Sequence, residues 1–469
     1  MWYYIFVQIE TAAGNGSLQS YSVLFDDNTL MNQIGIFNIS KFLQLFIMIP
    51  VILGAFYAAW RITGGKKRSP SGSGRQLISE ESGLFGSRRQ FIVCIVLTVL
   101  FTACLSYMLF SHLELQMKNP MLNRVLVWIS GVFLAFFIFF LMALTATDLL
   151  CVILRRTGHE KLPTRFFMAF SVGIAVVLAV FGAMHARDLK TVYYEVSSEG
   201  RLSEPLRIVE VSDLHMGSVI GPDYVQHVVD AVNACHPDIV LFAGDQFNRT
   251  TAVDVSEAEE TFEALSRIEA SIGVYAVLGN HDPDLNTPIY RQFLSQGGIT
   301  ALDNGVLEII PGNEDQPAQI HTLVSASADG LDSIVTPEAP ADGAMILVGR
   351  TKLEKDPERV PLSVLLEEAG ITRPDPYILV LDHDPKGVSE AASCDADLVV
   401  AGHTHRGQFF PATLVMQILY GTKYNYGRAQ TLNKDTGHVT TSIVSSGAGY
   451  FQTPVRIGTD SEIVCIDIR

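Results

Sequence analysis

Four stretches in the first 186 residues are each long and apolar enough to cross a bilayer, a strong restriction on the fold. About 20 apolar residues make a helix that spans the hydrocarbon. The stretches run from Phe42 to Trp60, Phe91 to Phe110, Val125 to about Ala146, and Phe166 to Met184. Pro50 lies inside the first, which a membrane helix tolerates. Met1 to Val7 is apolar but too short to span, and it lacks the basic start of a cleaved signal, so the first span can itself serve as the targeting signal. This reading divides the chain into an outer N-terminal segment (1–41), a four-span membrane domain (42–186) and a soluble domain (187–469).

Loop charge gives the expected orientation. Arg61, Lys66, Lys67, Arg68, Arg75, Arg88 and Arg89 lie between spans one and two. Arg155, Arg156, Lys161 and Arg165 lie between spans three and four, whereas Met1 to Ser40 has no Lys or Arg. The basic loops belong in the cytosol, so both termini and the soluble domain are expected on the extracytoplasmic or luminal side. Sequons at Asn15, Asn38 and Asn248 agree in sign. Asp148, at the cytoplasmic end of span three, reads as interfacial rather than as part of an ion path. With no spaced set of intramembrane acids and no inverted repeat, the membrane half reads as an anchor, and transport is the weaker alternative.

The 49 Asp and Glu against 33 Lys and Arg give a net charge of −16, so nucleic acid is not an expected partner. None of the six cysteines has CxxC spacing, which argues against a cysteine metal site.

Past Met184 the pattern becomes that of an α/β domain. Lys190 to Ser197 reads as a first strand, close behind the fourth span. Leu206 to Val211 is a second, followed at once by Ser212-Asp213-Leu214-His215. Pro222 to Cys235 carries Val225, Val228, Val229 and Val232 at helical spacing. Ile239 to Ala243 is a strand ending in Gly244-Asp245, and Glu257 to Ile268 is helical in pattern. Gly273 to Leu278 ends in Gly279-Asn280-His281-Asp282, and Tyr377 to Leu381 ends in Asp382-His383-Asp384. Leu398 to Ala401 ends in Gly402-His403-Thr404-His405. Strands and loops are expected between Pro311 and Pro361, without resolvable bounds.

Alone, Asp213 would read as a helix cap, Asn280 as a turn residue and each histidine as a satisfied polar group. Together, five strand ends carry Asp, His or Asn, and the carboxyl ends of strands are where open α/β sheets bind ligands. Carboxylate, imidazole and amide oxygen suit divalent Mn, Fe or Zn. Two such ions sharing one acid sit about 3.5–4 Å apart, the separation used for displacement at phosphorus.

In this order the blocks D-x-H, G-D, G-N-H-[DE], a lone H and G-H-x-H resemble the calcineurin-like metallophosphoesterase superfamily, over roughly Leu206 to Arg469. The resemblance extends to a family of transmembrane proteins with a metallophosphoesterase domain, on four preceding spans and on Ser212 to Gly217, Gly407-Gln408, Pro411, Ser446-Gly447-x-Gly449 and Pro454-x-Arg456. It implies a two-layer β sandwich flanked by helices. It implies two divalent cations, one on Asp213, His215, Asp245 and His405, the other on Asp245, Asn280, His383 and His403. His281 would touch the phosphoryl group or protonate the leaving oxygen, and Asp282 would orient His281. Gln246 and Arg406 depart from the superfamily pattern without removing a ligand.

The expected function is a membrane-anchored hydrolase that cleaves a phosphate ester through a metal-bridging hydroxide, in the manner of a manganese-type phosphatase. The alternative is a membrane scaffold whose domain holds metal without turnover. Proximity to the bilayer favours membrane lipids as neighbours and a lipid-linked phosphate as substrate, with soluble esters left open.

Overall fold

In the computed structural model the residues described are 92–93, 96, 120–157, 164–217, 219–248, 255–313, 315–327, 330–333, 340–351, 359–371 and 376–469. The chain runs α1 (Pro120–Arg156), α2 (Thr164–His185), β1 (Leu189–Val196), β2 (Leu206–Val211), α3 (Pro222–Ala234), β3 (Ile239–Ala243), α4 (Val255–Leu265), β4 (Gly273–Val277), α5 (Pro288–Gly297), β5 (Thr300–Ala301) and β6 (Val306–Ile310). It continues with β7 (Gln319–Ser327), β8 (Gly330–Ser333), β9 (Met345–Gly349), α6 (Leu362–Glu368), β10 (Tyr377–Leu381), α7 (Val388–Ser393), β11 (Leu398–Ala401), α8 (Ala412–Tyr424), β12 (Gly427–Leu432), β13 (Val439–Val444) and β14 (Ser461–Ile468).

The five residues of β3 are all buried, because both faces of the strand are covered. Ile239, Leu241 and Ala243 point to one side, where they meet Leu347, Leu379, Leu381, Leu398 and Val400 of a second sheet. Val240 and Phe242 point to the other, against Val225, Val228, Val229, Phe262 and Phe293 of the helices. The period of two in side-chain direction thus builds two cores at once. β10 repeats the device: Leu379 and Leu381 face the first sheet, while Ile378 and Val380 pack on Leu362, Leu365 and Val388. Full burial of each large aliphatic side chain contributes about 1.5–3 kcal/mol.

Two sheets result, ordered β1-β14-β2-β3-β4-β5 and β12-β13-β11-β10-β9-β6-β7-β8. Pairings β2–β3–β4 and β9–β10–β11–β13 are parallel, so their carboxyl ends emerge together. The two-layer sandwich flanked by helices is as expected, and the segment 311–361 holds β7, β8 and β9.

Two of the four expected spans fall among the described residues. Arg124–Leu154 within α1 and Phe166–His185 within α2 are long and apolar enough to cross a membrane, with mean hydropathy 2.7 and 2.4. Much of their apolar surface faces outward, including Leu149, Phe166, Val177 and Phe181. Water would penalise such a surface, and lipid would not. α1 is longer than the expected 125–146, running on past Asp148 to Arg156. The stretch 42–60 and the sequons at Asn15 and Asn38 lie outside the described residues, as does nearly all of 91–110. Asn248 is only 7 % exposed, so a glycan there has no room in the folded domain, and this sequon lends the orientation no support.

The domain is fastened to the helices rather than tethered to them. The Arg456 N–H donates to the Gly182 carbonyl at 3.0 Å, and the Ser461 hydroxyl donates to the Ala186 carbonyl at 2.7 Å. His185 lies 3.0 Å from Asp460. A Cβ at Gly182 would come within 2.6 Å of Val455, so the helix and the loop 453–457 are in backbone contact there.

Candidate metal centre

Every ligand predicted from sequence sits on a turn that directly follows a strand. Asp213 and His215 follow β2, Asp245 follows β3, and Asn280 follows β4. His383 follows β10, and His403 and His405 follow β11. The two sheets therefore contribute one wall each. These turns bend more sharply than the strands before them. Asp213, His215, Asp245, His403 and His405 all have φ between 48° and 72°, the left-handed region that side chains rarely adopt. Local strain concentrated on the very residues that converge is the pattern of a functional site.

The side chains form two groups, Asp213 with His215 and His405, and Asp245 with His383 and His403, each with donor atoms within 4.8 Å of one another. In the first, His215 Nε2 is 2.9 Å from His405 Nε2, and His405 Nε2 is 3.4 Å from Asp213 Oδ1. In the second, Asn280 Oδ1 is 3.0 Å from His383 Nε2 and 2.8 Å from His403 Nδ1. Asp245 joins them: its Oδ2 lies 3.8 Å from His215 Nε2 and 3.3 Å from His383 Nε2. Ligands held at roughly 2.0–2.2 Å from an ion are about 3.0–3.5 Å from one another, and the distances here, from 2.8 to 3.8 Å, bracket that range. Each donor set would suit a divalent cation, and Asp245 stands between the two groups.

The surroundings fix the ligand atoms. His383 Nδ1 lies 2.8 Å from the Ala243 carbonyl, so it carries the proton and Nε2 faces the cluster. Asp213 accepts the His403 N–H on both oxygens, at 3.1 and 2.9 Å. Asp245 Oδ1 accepts the His281 N–H at 2.7 Å, leaving Oδ2 turned to the imidazoles. Asp382 accepts the His383 N–H at 2.8 Å while its other oxygen takes Arg359 Nη2, also at 2.8 Å, a buried pair that sequence spacing did not reveal.

Two motif glycines have a steric reason. A Cβ at Gly279 would stand 2.1 Å from Asp245 Oδ1, and one at Gly402 would stand 2.3 Å from Asp213 Oδ2. Gly279 lets the carboxylate after the neighbouring strand β3 lie against its backbone, and Gly402 does the same for the carboxylate after β2 of the facing sheet. Gly402→Ala is therefore expected to displace Asp213 and to weaken metal affinity by about 10–100-fold, the range for loss of a supporting partner. Metal-binding isotherms of the variant and parent chains measure this.

Charge states suit the role. Burial, helped by the nearby His281 and His383 rings, lowers His215 to about 3, and burial with His215 and Arg456 as neighbours takes His405 well below its usual range. Both imidazoles are neutral, as ligands must be. Burial alone would raise Asp245, but the imidazoles of His383, His281 and His215 hold its carboxyl well below the usual range. His383 goes the other way: burial opposes its charge, yet Asp245 draws its proton on strongly. That proton and an ion compete for one nitrogen, so ion binding expels it.

His281 is half-buried, its ring 5.5 Å from His215 and 4.6 Å from Phe451, at the rim of the first group. Asp282 accepts from the Phe247 N–H at 2.9 Å and from the Gly279 N–H at 2.7 Å, so it locks two ligand turns together. Arg406 stacks on Tyr426 at 4.2 Å, and the Gln246 amide donates to the Val277 carbonyl at 3.1 Å. Phe451, and Tyr420 with its ring 5.8 Å from His403, line the centre without any motif to announce them.

Residues 206–407 match the calcineurin-like phosphoesterase family. A transmembrane protein with metallophosphoesterase domain from Danio rerio is 30 % identical over 306 residues, 63 % of this chain and 61 % of the relative. A metallophosphoesterase from Helicobacter pylori is 27 % identical over 56 % of this chain and 60 % of its own length. One from Aquifex aeolicus is 24 % identical over 63 % of this chain and 98 % of its own. The matches thus span about three fifths of the first two relatives. On these matches and the convergence of the motif residues, residues 206–407 form a domain of the calcineurin-like phosphoesterase family.

Proposed function

We propose that the chain is a membrane-anchored hydrolase of phosphate esters working with two divalent cations. The observation that carries this reading is the Asp245 carboxylate oxygen, placed between the two ligand groups. When bound, two cations polarise phosphoryl oxygens and make water nucleophilic at neutral pH. Asp213, His215, Asp245 and His405 would hold one; Asp245, Asn280, His383 and His403 would hold the other. Manganese, iron and zinc all suit this donor set.

The remaining work falls to the chain's own side chains. His281 stands beside the first group, tethered through its N–H to the Asp245 carboxylate, and it hands a proton to the departing oxygen. Phe451 packs against the rings of His281, His215 and His405 and keeps water from that flank. Asp282 holds the turns that carry Asp245 and Asn280 in register. The two apolar helices anchor the domain, with the catalytic face on the extracytoplasmic or luminal side by the loop charges.

The test is hydrolysis of p-nitrophenyl and bis-p-nitrophenyl phosphate by the full chain with manganese, abolished by a chelator. No turnover of mono-, di- or pyrophosphate esters by metal-loaded protein would overturn the reading. His281→Ala is expected to lower kcat by about 10²–10⁴-fold, the usual contribution of a positioned acid, with bound metal unchanged. An equal loss of metal and activity would instead mean that His281 acts as a ligand.

A further inference from the structure

Among the described residues, α8 stands out as a thirteen-residue helix with no buried residue, in a domain whose other helices all bury one face where burial is described for them. Its sequence is nevertheless apolar. Leu414, Val415, Ile418 and Leu419 are 47, 48, 72 and 39 % exposed, and Phe410 just before it is 50 % exposed. A contiguous apolar surface of this kind marks an interaction site. Its polar residues include Lys423, Tyr420 and Tyr424, types enriched where a helix lies in a membrane interface.

The helices of the anchor indicate what covers this surface. Phe409 packs edge-on against Phe139 of α1, with ring centroids 5.4 Å apart. The Thr147 and Ser171 hydroxyls, 3.2 Å apart, set α1 against α2. Counting eight residues back from Thr147 and eight on from Ser171 places Phe139 level with Ala179. That level is six residues, about 9 Å, before the end of α2. The apolar stretch of α2 has only 20 residues, Phe166–His185, barely the bilayer core in length. Nearly all of it must lie in hydrocarbon if it spans. Phe409 then sits about 9 Å below the surface, and interfacial helices bury their apolar faces by about 5–10 Å.

We propose that Phe410 and the apolar side chains of α8 seat in the leaflet next to the domain, and that the metal centre takes the phosphate of a membrane lipid. The substrate half of this inference rests on the hydrolase reading; the docking half does not. Tyr420 of α8 lies against the metal ligand His403, so the rim of the centre adjoins the docked helix. Lys386, about half exposed, places its ammonium 5.3 Å from the Tyr420 ring and 3.3 Å from Asp384, so an anionic headgroup would share it with that carboxylate. A lipid phosphate needs only lateral diffusion to reach His403.

The full chain in nanodiscs of phosphatidylcholine brominated on the acyl chains tests the docking half. The fluorescence added by Ile418→Trp over the parent is expected to be quenched. That added by Lys434→Trp, on the exposed turn before β13 at the opposite end of the sheet, is expected to be unaffected. Unquenched Ile418→Trp overturns the docking surface whatever the enzyme does. The substrate half is read with soluble bis-p-nitrophenyl phosphate as reporter. Phosphatidic acid in the disc is expected to inhibit about tenfold or more strongly than glycerol phosphate at equal bulk concentration, because confinement raises its effective concentration. In Leu414→Asp/Ile418→Asp the ratio of the two inhibitions is expected to fall. Equal inhibition by both probes overturns the lipid assignment while leaving hydrolysis of the reporter intact; no hydrolysis at all would mean that the hydrolase reading had failed.

Discussion

Asp245→Ala is expected to empty both ion positions at once and to lower hydrolysis by well over about 100-fold, more than a lost supporting partner costs. No other ligand has this reach. Asp245 Oδ2 is within 3.8 Å of His215 Nε2 and 3.3 Å of His383 Nε2, so one atom belongs to both donor sets. The same residue holds the His281 N–H through Oδ1, so the proton donor loses its tether as well. Loss of His405 would touch the first group alone, and loss of His403 the second. Asp245→Asn separates the effects, because its amide keeps an acceptor for His281 but loses the bridging charge. Metal content by elemental analysis is expected to fall from about two ions per chain to less than one in Asp245→Ala. His405→Ala is expected to retain about one.

Arg456→Ala is expected to destabilise the domain by roughly 3–5 kcal/mol, since it strands several buried carbonyls at about 1–3 kcal/mol each. Arg456 is fully buried, and its guanidinium donates to the carbonyls of Ser446, Gly447 and Gly449 at 2.6, 3.2 and 2.6 Å. It also reaches the His405 carbonyl at 3.3 Å, while its own N–H holds the end of α2. Burial lowers the guanidinium to about 10, still charged at neutral pH. The side chain thus ties the turn of the last ligand to the glycine-rich strand end after β13, and the backbone N–H of the same residue, which Arg456→Ala retains, ties both to α2. Lys has one nitrogen and cannot span those carbonyls, so Arg456→Lys is expected to recover only part of the loss. Thermal unfolding in detergent, followed with and without manganese, measures both variants.

Asp245, His383, His403 and His405 were legible because each follows a short run of apolar residues buried on both faces. Ile239 to Ala243, Tyr377 to Leu381 and Leu398 to Ala401 are strands with the bounds read from sequence. The abrupt change from apolar run to Asp, His or Asn marks the strand end and the site together. Arg350 and Arg359 were not legible. They lie in a stretch without periodicity and act by pairing with Glu390 and Asp382, which no local spacing foretells. The Ser446 to Gly449 block was noticed, but its purpose needed Arg456 in place. α8 was missed because an apolar stripe is normally read as facing a core, and this helix faces none. The reach of α1 was not legible because Asp148 reads as the end of the span, whereas the helix continues past it on a second apolar run, Leu149 to Leu154.

Manganese titration of the full chain, with bound metal and hydrolysis of bis-p-nitrophenyl phosphate followed together, tests the central claim most directly. In the proposed two-cation reaction both ions act on the phosphoryl group, so hydrolysis is expected to stay low until binding exceeds one ion per chain and to reach its plateau near two. Full turnover at one ion per chain, or two bound ions with no turnover, would contradict a dinuclear hydrolase centred on Asp245.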